Sequence, residues 1–213
     1  MIREWEAEIL WGYFGFNLSN VSHERLSFYT GDVFTKQPEF ETDVIPVYNL
    51  IKKIKPSIIT VAFDPEGSGP DTHYKVLQAI SEALKKYEND FNKSEIKIWG
   101  YRNVWFKYHP SEANMFVPVS LNSMAVLKDS FMNCFNSQKN ASFPSYAYDG
   151  PFSDLAQKIF VEQYEKLLIT MGKDYFFKNA HPRLRAARGF LYLKEMNLNE
   201  FYNFAEELKK ITE

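Results

Sequence analysis

The stretch Ser57-Ile58-Ile59-Thr60-Val61-Ala62-Phe63 limits the fold most sharply, because it is uncharged, rich in β-branched side chains and bounded by Pro56 and Asp64. β-Branched residues are stiff at χ1 and pack well on a pleated surface. A run without polar alternation predicts a strand buried on both faces, as at the centre of a parallel sheet. The segment Asp64-Pro65-Glu66-Gly67-Ser68-Gly69-Pro70 follows as a loop. Behind a capping Asp71, Val76, Ile80 and Leu84 then recur at helical spacing. Strand, glycine-containing loop and helix in that order open a βαβ unit.

The alternation continues along the chain. Residues 96–101 and 115–119 read as strands, and 25–29 as a short one. Ile2, Trp5, Ile9, Tyr13 and Phe16 mark the apolar face of a helix over 2–16. Further helices are expected over 44–54, from Met124 to Phe135 and from Leu155 to Met171, with two more after Pro182 over 184–194 and 199–211. The pattern predicts an α/β fold, a Rossmann-like three-layer αβα arrangement with a mostly parallel sheet and a helical C-terminal tail. One domain is expected over 1–213, with an αβ core over 1–140 and a helical extension over 141–213.

Composition narrows the function. A net charge of -2 provides no global basic field for nucleic acid or anionic membranes. No apolar run approaches the ~20 residues that span a bilayer. The opening Met1-Ile2-Arg3-Glu4-Trp5-Glu6 is too acidic for a signal peptide. Cys134 is the single cysteine, which excludes an intrachain disulfide and a cysteine-rich zinc site and agrees with a cytoplasmic location.

Ligands of open parallel sheets bind beyond the carboxyl ends of the strands. Residues 64–73 fall there and bring together Asp64, Glu66, Asp71 and His73, with Gly67 and Gly69 permitting close backbone approach. Imidazole and carboxylate suit zinc or a similar divalent ion. Taken alone, the same residues are more simply read as acidic caps of the next helix beside a satisfied surface histidine. The glycines also suit a phosphate, although no P-loop lysine follows.

The segment Pro70-Asp71-Thr72-His73, after its glycine loop, resembles the second conserved motif of the PIG-L/LmbE family of zinc-dependent N-deacetylases. In that family a Pro-Asp-His segment supplies a zinc-ligating histidine. Here the histidine is displaced by one position, and Gly69 stands where the family carries a further histidine. Arg3-Glu4-Trp5-Glu6 followed by Gly15 resembles the family's Arg-x-x-Glu helix, and Ser137-Gln138 resembles a pair near its last core helix with a structural role. The resemblance implies zinc held by His73, with Asp71 and Asp64 nearby to orient it. It implies Arg3 as a substrate contact, for which pairing with Glu6 is the plainer alternative. Gly69-Pro70-Asp71-Thr72-His73-Tyr74-Lys75-Val76, Trp99-Gly100-Tyr101-Arg102-Asn103-Val104-Trp105 and His109-Pro110-Ser111-Glu112-Ala113-Asn114 resemble a narrower group. In that group a PIG-L-like domain lies behind a glucosamine-6-phosphate isomerase/deaminase-like domain. Independently of the resemblance, Arg102, Lys107 and His109 are candidates for contacting a sugar phosphate at the cleft rim, with a solvated strand end as the plainer alternative.

Family members begin with a strand ending in His-Pro-Asp-Asp, which supplies zinc ligands and the general base. That motif does not occur here, and His109-Pro110-Ser111-Glu112 lies on the wrong side of His73 to replace it. The expectation is a C-terminal portion lacking the sheet's first strand, with an incomplete zinc site and no activity alone; the alternative is a degenerate, non-hydrolytic relative. Two functions follow. One is a metal-dependent N-deacetylase-like domain acting on an amino sugar. The other is a non-catalytic module that binds an amino-sugar phosphate, or that oligomerises with copies of itself or with a fused isomerase-like domain.

Overall fold

The computed structural model describes residues 2–30, 35–64, 71–91, 95–102, 104, 107–141 and 149–212. Glu66, Gly67, Gly69, Asn103 and Trp105 lie outside the described residues. Four strands, β1 (Ile58–Ala62), β2 (Lys97–Tyr101), β3 (Met115–Ser120) and β4 (Ala187–Met196), form one sheet in the order β1-β2-β4-β3. β1 and β2 run parallel, with Val61 opposite Gly100. β2 and β4 run antiparallel, with Trp99 opposite Glu195. The sheet is thus mixed, not mostly parallel.

The strand that makes it mixed was expected to be a helix. Ala187–Met196 is rich in Leu, Lys, Glu and Met, good helix formers, and is covered at most positions on both sides, so no period of two survives in it. Pairing with a neighbouring strand overrides its intrinsic preference. β1 departs from expectation in the opposite sense. It lies at the end of the strand order, and Ile58 is 41% exposed. The apolar run marks a strand, but not a doubly buried one. Residues 25–29 form no strand.

The chain divides into two compact units, Met1–His23 with Phe116–Tyr192, and Glu24–Met115 with Leu193–Glu213. In the second unit, α2 (Ile45–Ile54) packs on α3 (Asp71–Phe91), and α3 touches both β1 and α8 (Leu198–Thr212). Val61, Phe63, Ile98 and Gly100 turn to this helical side and are buried. The Phe63 ring lies 3.7 Å from that of Phe204 on α8. α2 is preceded by a wide π-type turn, Phe40–Val44, whose Asp43 is completely buried. Asp43 accepts hydrogen bonds from the Ser27 amide (2.5 Å), the Ser27 hydroxyl (2.7 Å) and the Glu39 amide (2.8 Å). These bonds tie the irregular segment before α2 to the start of that helix.

In the first unit, α1 (Ile2–Tyr13) packs on α4 (Leu121–Cys134), and α4 on α5 (Phe152–Met171). Two short helices follow, α6 (Lys173–Phe177) and α7 (Pro182–Arg185). α1 ends earlier than its apolar spacing suggested, because Gly15 adopts φ +80°. The Gly15 amide bonds back to Gly12 O and the Phe16 amide to Trp11 O, both at 2.9 Å, and the Phe16 ring meets the Trp11 ring edge-on at 5.3 Å. This pattern is a Schellman cap with its accompanying hydrophobic contact. The stripe expected to face the core faces outward, with Ile2 66% and Trp5 64% exposed. Glu6 is the residue α1 buries. It accepts from both the amide and the hydroxyl of Ser137, each at 2.7 Å. The Arg-x-x-Glu and Ser-Gln segments are therefore two halves of one contact. Those two donors hold the Glu6 carboxyl below the usual range.

Among the described residues no helix is long and apolar enough to cross a membrane.

Candidate functional site

β1 delivers Asp64 two residues beyond its carboxyl end, and α3 begins at Asp71, so His73 sits in the first helical turn. The two meet there. Asp64 Oδ2 lies 2.9 Å from His73 Nδ1, with the carboxylate side chain 4% exposed and the imidazole 27% exposed. An ionised carboxylate can only accept, so Nδ1 carries the proton and, in the neutral ring, Nε2 carries the lone pair. This is the arrangement by which a carboxylate fixes the tautomer and orientation of a working histidine, as a base or a metal ligand.

Asp71 does not share in it. Its carboxylate turns to the buried ammonium of Lys75 (2.6 Å), which also donates to the carbonyl (2.7 Å) and hydroxyl (2.6 Å) of Thr35. Burial pushes the Asp71 carboxyl up, but Lys75 and the Thr35 hydroxyl together hold it below its usual range. Asp71 therefore neutralises a buried lysine and anchors Thr35, and Asp64 alone of the two orients His73.

Aromatic side chains adjoin the dyad. Tyr101 ends β2, beside the end of β1; burial raises its pKa, and the Asp64 carboxylate and Tyr29 add to the rise. Tyr108 is 1% exposed, and burial pushes its phenol up as well. Its ring supports the guanidinium of Arg102 at 4.2 Å. Arg102, a candidate phosphate contact from the sequence, makes a two-pronged ion pair with Glu112 (3.0 and 2.9 Å), its side chain 6% exposed. Burial pushes the Glu112 carboxyl up, but Arg102 and the His109 amide hold it below the usual range. His109 is exposed, with Nδ1 2.8 Å from Ser111 Oγ. Arg102 and His109 are thus joined through Glu112 into one loop anchor. Arg3 belongs to the first unit, exposed on α1 one turn before Glu6.

Tyr101 and Glu112 entered the sequence reading only inside longer segments, with no role of their own as site residues. Tyr101 had a usable signal, since a polar residue closing a parallel strand faces the ligand edge. The pairing of Glu112 with Arg102 had none, because the two lie across an irregular segment.

A catalytic zinc takes three protein ligands and a water. The dyad offers Nε2 of one histidine, and no group of three His, Cys, Asp or Glu side chains lies together among the described residues. These donors alone do not fit a zinc ion.

No protein-family model matches the chain, and no solved structure matches it significantly. The chain is 31% identical over 148 residues to a Bacteroides thetaiotaomicron protein named "Putative glucosamine-6-phosphate deaminase-like protein". The match takes in 67% of this chain and 22% of that protein, so the chain corresponds to about a fifth of its relative's length.

Proposed function

We propose that this chain is an amino-sugar-phosphate-handling module of a glucosamine-6-phosphate deaminase-like protein, with the Asp64–His73 dyad as its ligand contact. The observation that carries the reading is the 2.9 Å bond from Asp64 to His73, which orients an imidazole at the carboxyl edge of a parallel strand pair. Tyr101 supplies an aromatic wall beside it. The relative's name supports the ligand class. A sugar hydroxyl or amino group donating to Nε2 would make the key polar contact, strengthened by the carboxylate behind the ring.

Calorimetric titration with glucosamine 6-phosphate and its N-acetyl form tests this. His73→Ala should weaken binding roughly 10- to 100-fold, the worth of a charge-assisted hydrogen bond. Binding unchanged in His73→Ala would sink the assignment.

A second reading is favoured by the same bond, because metal-bound histidines carry a carboxylate on their other nitrogen. In it the chain forms part of a zinc-dependent N-deacetylase, with His73 as one ligand and the remaining ligands and general base outside the described residues. Metal analysis separates the two. Zinc that co-purifies with the protein and is lost in His73→Ala favours the deacetylase; sugar-phosphate binding that persists with chelator favours the binding module.

A further inference from the structure

Two buried charges of the second unit, Asp43 and Lys75, take no part in the Asp64–His73 contact. A buried ion is tolerated only where its hydrogen bonds compensate the lost hydration. Both ions give two such bonds to one stretch of chain. Asp43 accepts from the amide and hydroxyl of Ser27 (2.5 and 2.7 Å), and Lys75 donates to the carbonyl and hydroxyl of Thr35 (2.7 and 2.6 Å). Tyr29 lies between these anchors. Its amide closes a turn onto Leu26 O at 3.1 Å, and its ring is stacked on that of Phe28 at 5.5 Å. Leu26 and Phe28 are buried, Phe28 completely, whereas Tyr29 is 59% exposed. A broad aromatic side chain on so well braced a turn is ordered before any ligand arrives, which is how a fold prepares a contact residue.

Tyr29 also shares the surroundings of the dyad. Tyr101 closes β2 opposite Ala62, two residues before Asp64, and its carbonyl accepts from the Phe63 amide at 2.7 Å. Burial raises the Tyr101 pKa most, followed by the Asp64 carboxylate and then Tyr29, so both phenols lie within the field of one site. We propose that Tyr29 is the specificity-determining residue of that site, an aromatic face that packs on the closed ring of an amino-sugar phosphate. Tyr101 and His73 then meet the ligand's hydroxyl and amino groups. The proposal rests on the sugar-phosphate reading above and adds the feature of the ligand that is selected. A pyranose presents flat C–H faces that an aromatic ring can cover. The corresponding open-chain alditol phosphate keeps the amine and the phosphate but has no such face.

Calorimetric titration with glucosamine 6-phosphate and with 2-amino-2-deoxyglucitol 6-phosphate reads the choice. The unmutated protein should bind the ring form roughly 3- to 10-fold more tightly, the worth of one aromatic contact. Tyr29→Ala should abolish that preference by weakening the ring form alone, and Tyr29→Phe should restore it. Thermal unfolding of both variants should stay close to the parent, since the side chain replaced is largely exposed, so a lost preference reports on the site and not on the fold. A ring preference untouched by Tyr29→Ala, or both ligands weakened equally, would overturn the proposal and leave the sugar-phosphate reading to be decided by His73→Ala. Failure of the unmutated protein to bind either ligand would overturn both.

Discussion

Gly100→Ala provides the sharpest test of how the site is supported. Gly100 lies in β2 opposite Val61, and a Cβ there would stand 2.9 Å from both Cβ and Cγ of Phe63 and 3.2 Å from the Tyr108 hydroxyl. Carbon atoms pack best at ~3.5–4.0 Å, so the overlap is about 0.6–1.1 Å. Phe63 has little room to yield: it is 2% exposed and its ring is pressed against Phe204. Overpacking of this kind costs about 1–3 kcal/mol, and removing glycine's freedom in the unfolded chain returns roughly 0.4–1 kcal/mol. A net loss of about 1–2 kcal/mol should lower Tm by ~2–8 °C in a protein of this size. Phe63 directly precedes Asp64, so the same shift should also disturb the His73 contact and weaken ligand binding. Gly12→Ala is the control of opposite sign. Nothing lies within 4 Å of its Cβ position, so it should gain roughly 0.5–1 kcal/mol from helix propensity alone. Thermal and urea unfolding of the pair, with unchanged m-values, checks both. A Gly100→Ala protein as stable as its parent would refute the packing argument.

Other consequences are open to measurement. Asp43→Ala leaves the part-buried amides of Ser27 and Glu39 without their acceptor and should cost about 1–3 kcal/mol in urea unfolding. Burial pushes the Asp43 carboxyl up, but its Glu39, Ser27 and Thr42 donors bring it below the ordinary value. Its stabilisation is therefore present above the ordinary carboxylate pKa and lost as pH falls through the depressed one; urea midpoints should show a flatter acid limb in Asp43→Ala. Burial pushes Tyr192 up to about 12. Its contribution is thus complete below the ordinary tyrosine pKa of about 10 and fades as pH rises toward about 12, with Tyr192→Phe less sensitive across that window. Gly15→Ala places a side chain at φ +80°, which should cost ~1–2 kcal/mol and lower Tm without changing ligand binding.

Much of the second unit was legible because its signals are local. The β-branched run gave β1, and the apolar spacing after Asp71 gave α3 with nearly its full extent. Both members of the dyad were also visible, Asp64 at the strand end and His73 in the first helical turn. The sequence set Asp64 and Asp71 beside His73 alike; what it did not show is that the start of α3 turns Asp71 toward Lys75 and leaves Asp64 to meet the imidazole. β4 escaped because its environment, not its composition, makes it a strand. α1 shows the limit of periodicity. Spacing identifies an apolar face, but what covers that face depends on partners elsewhere, and here the buried side is decided by Ser137 meeting Glu6.

The place of β4 in the strand order also sets a schedule. β2 is complete at Tyr101, yet the strand that pairs with its other edge ends at Met196. At ~5–20 residues per second, a ribosome takes roughly 5–20 s to make the intervening chain. Through that interval the edge of β2 waits unpaired on the nascent polypeptide, an invitation to chaperones and to mispairing. Sheet closure consequently waits until Met196 has been made. A premature stop just before Ala187 would remove the strand between β2 and β3.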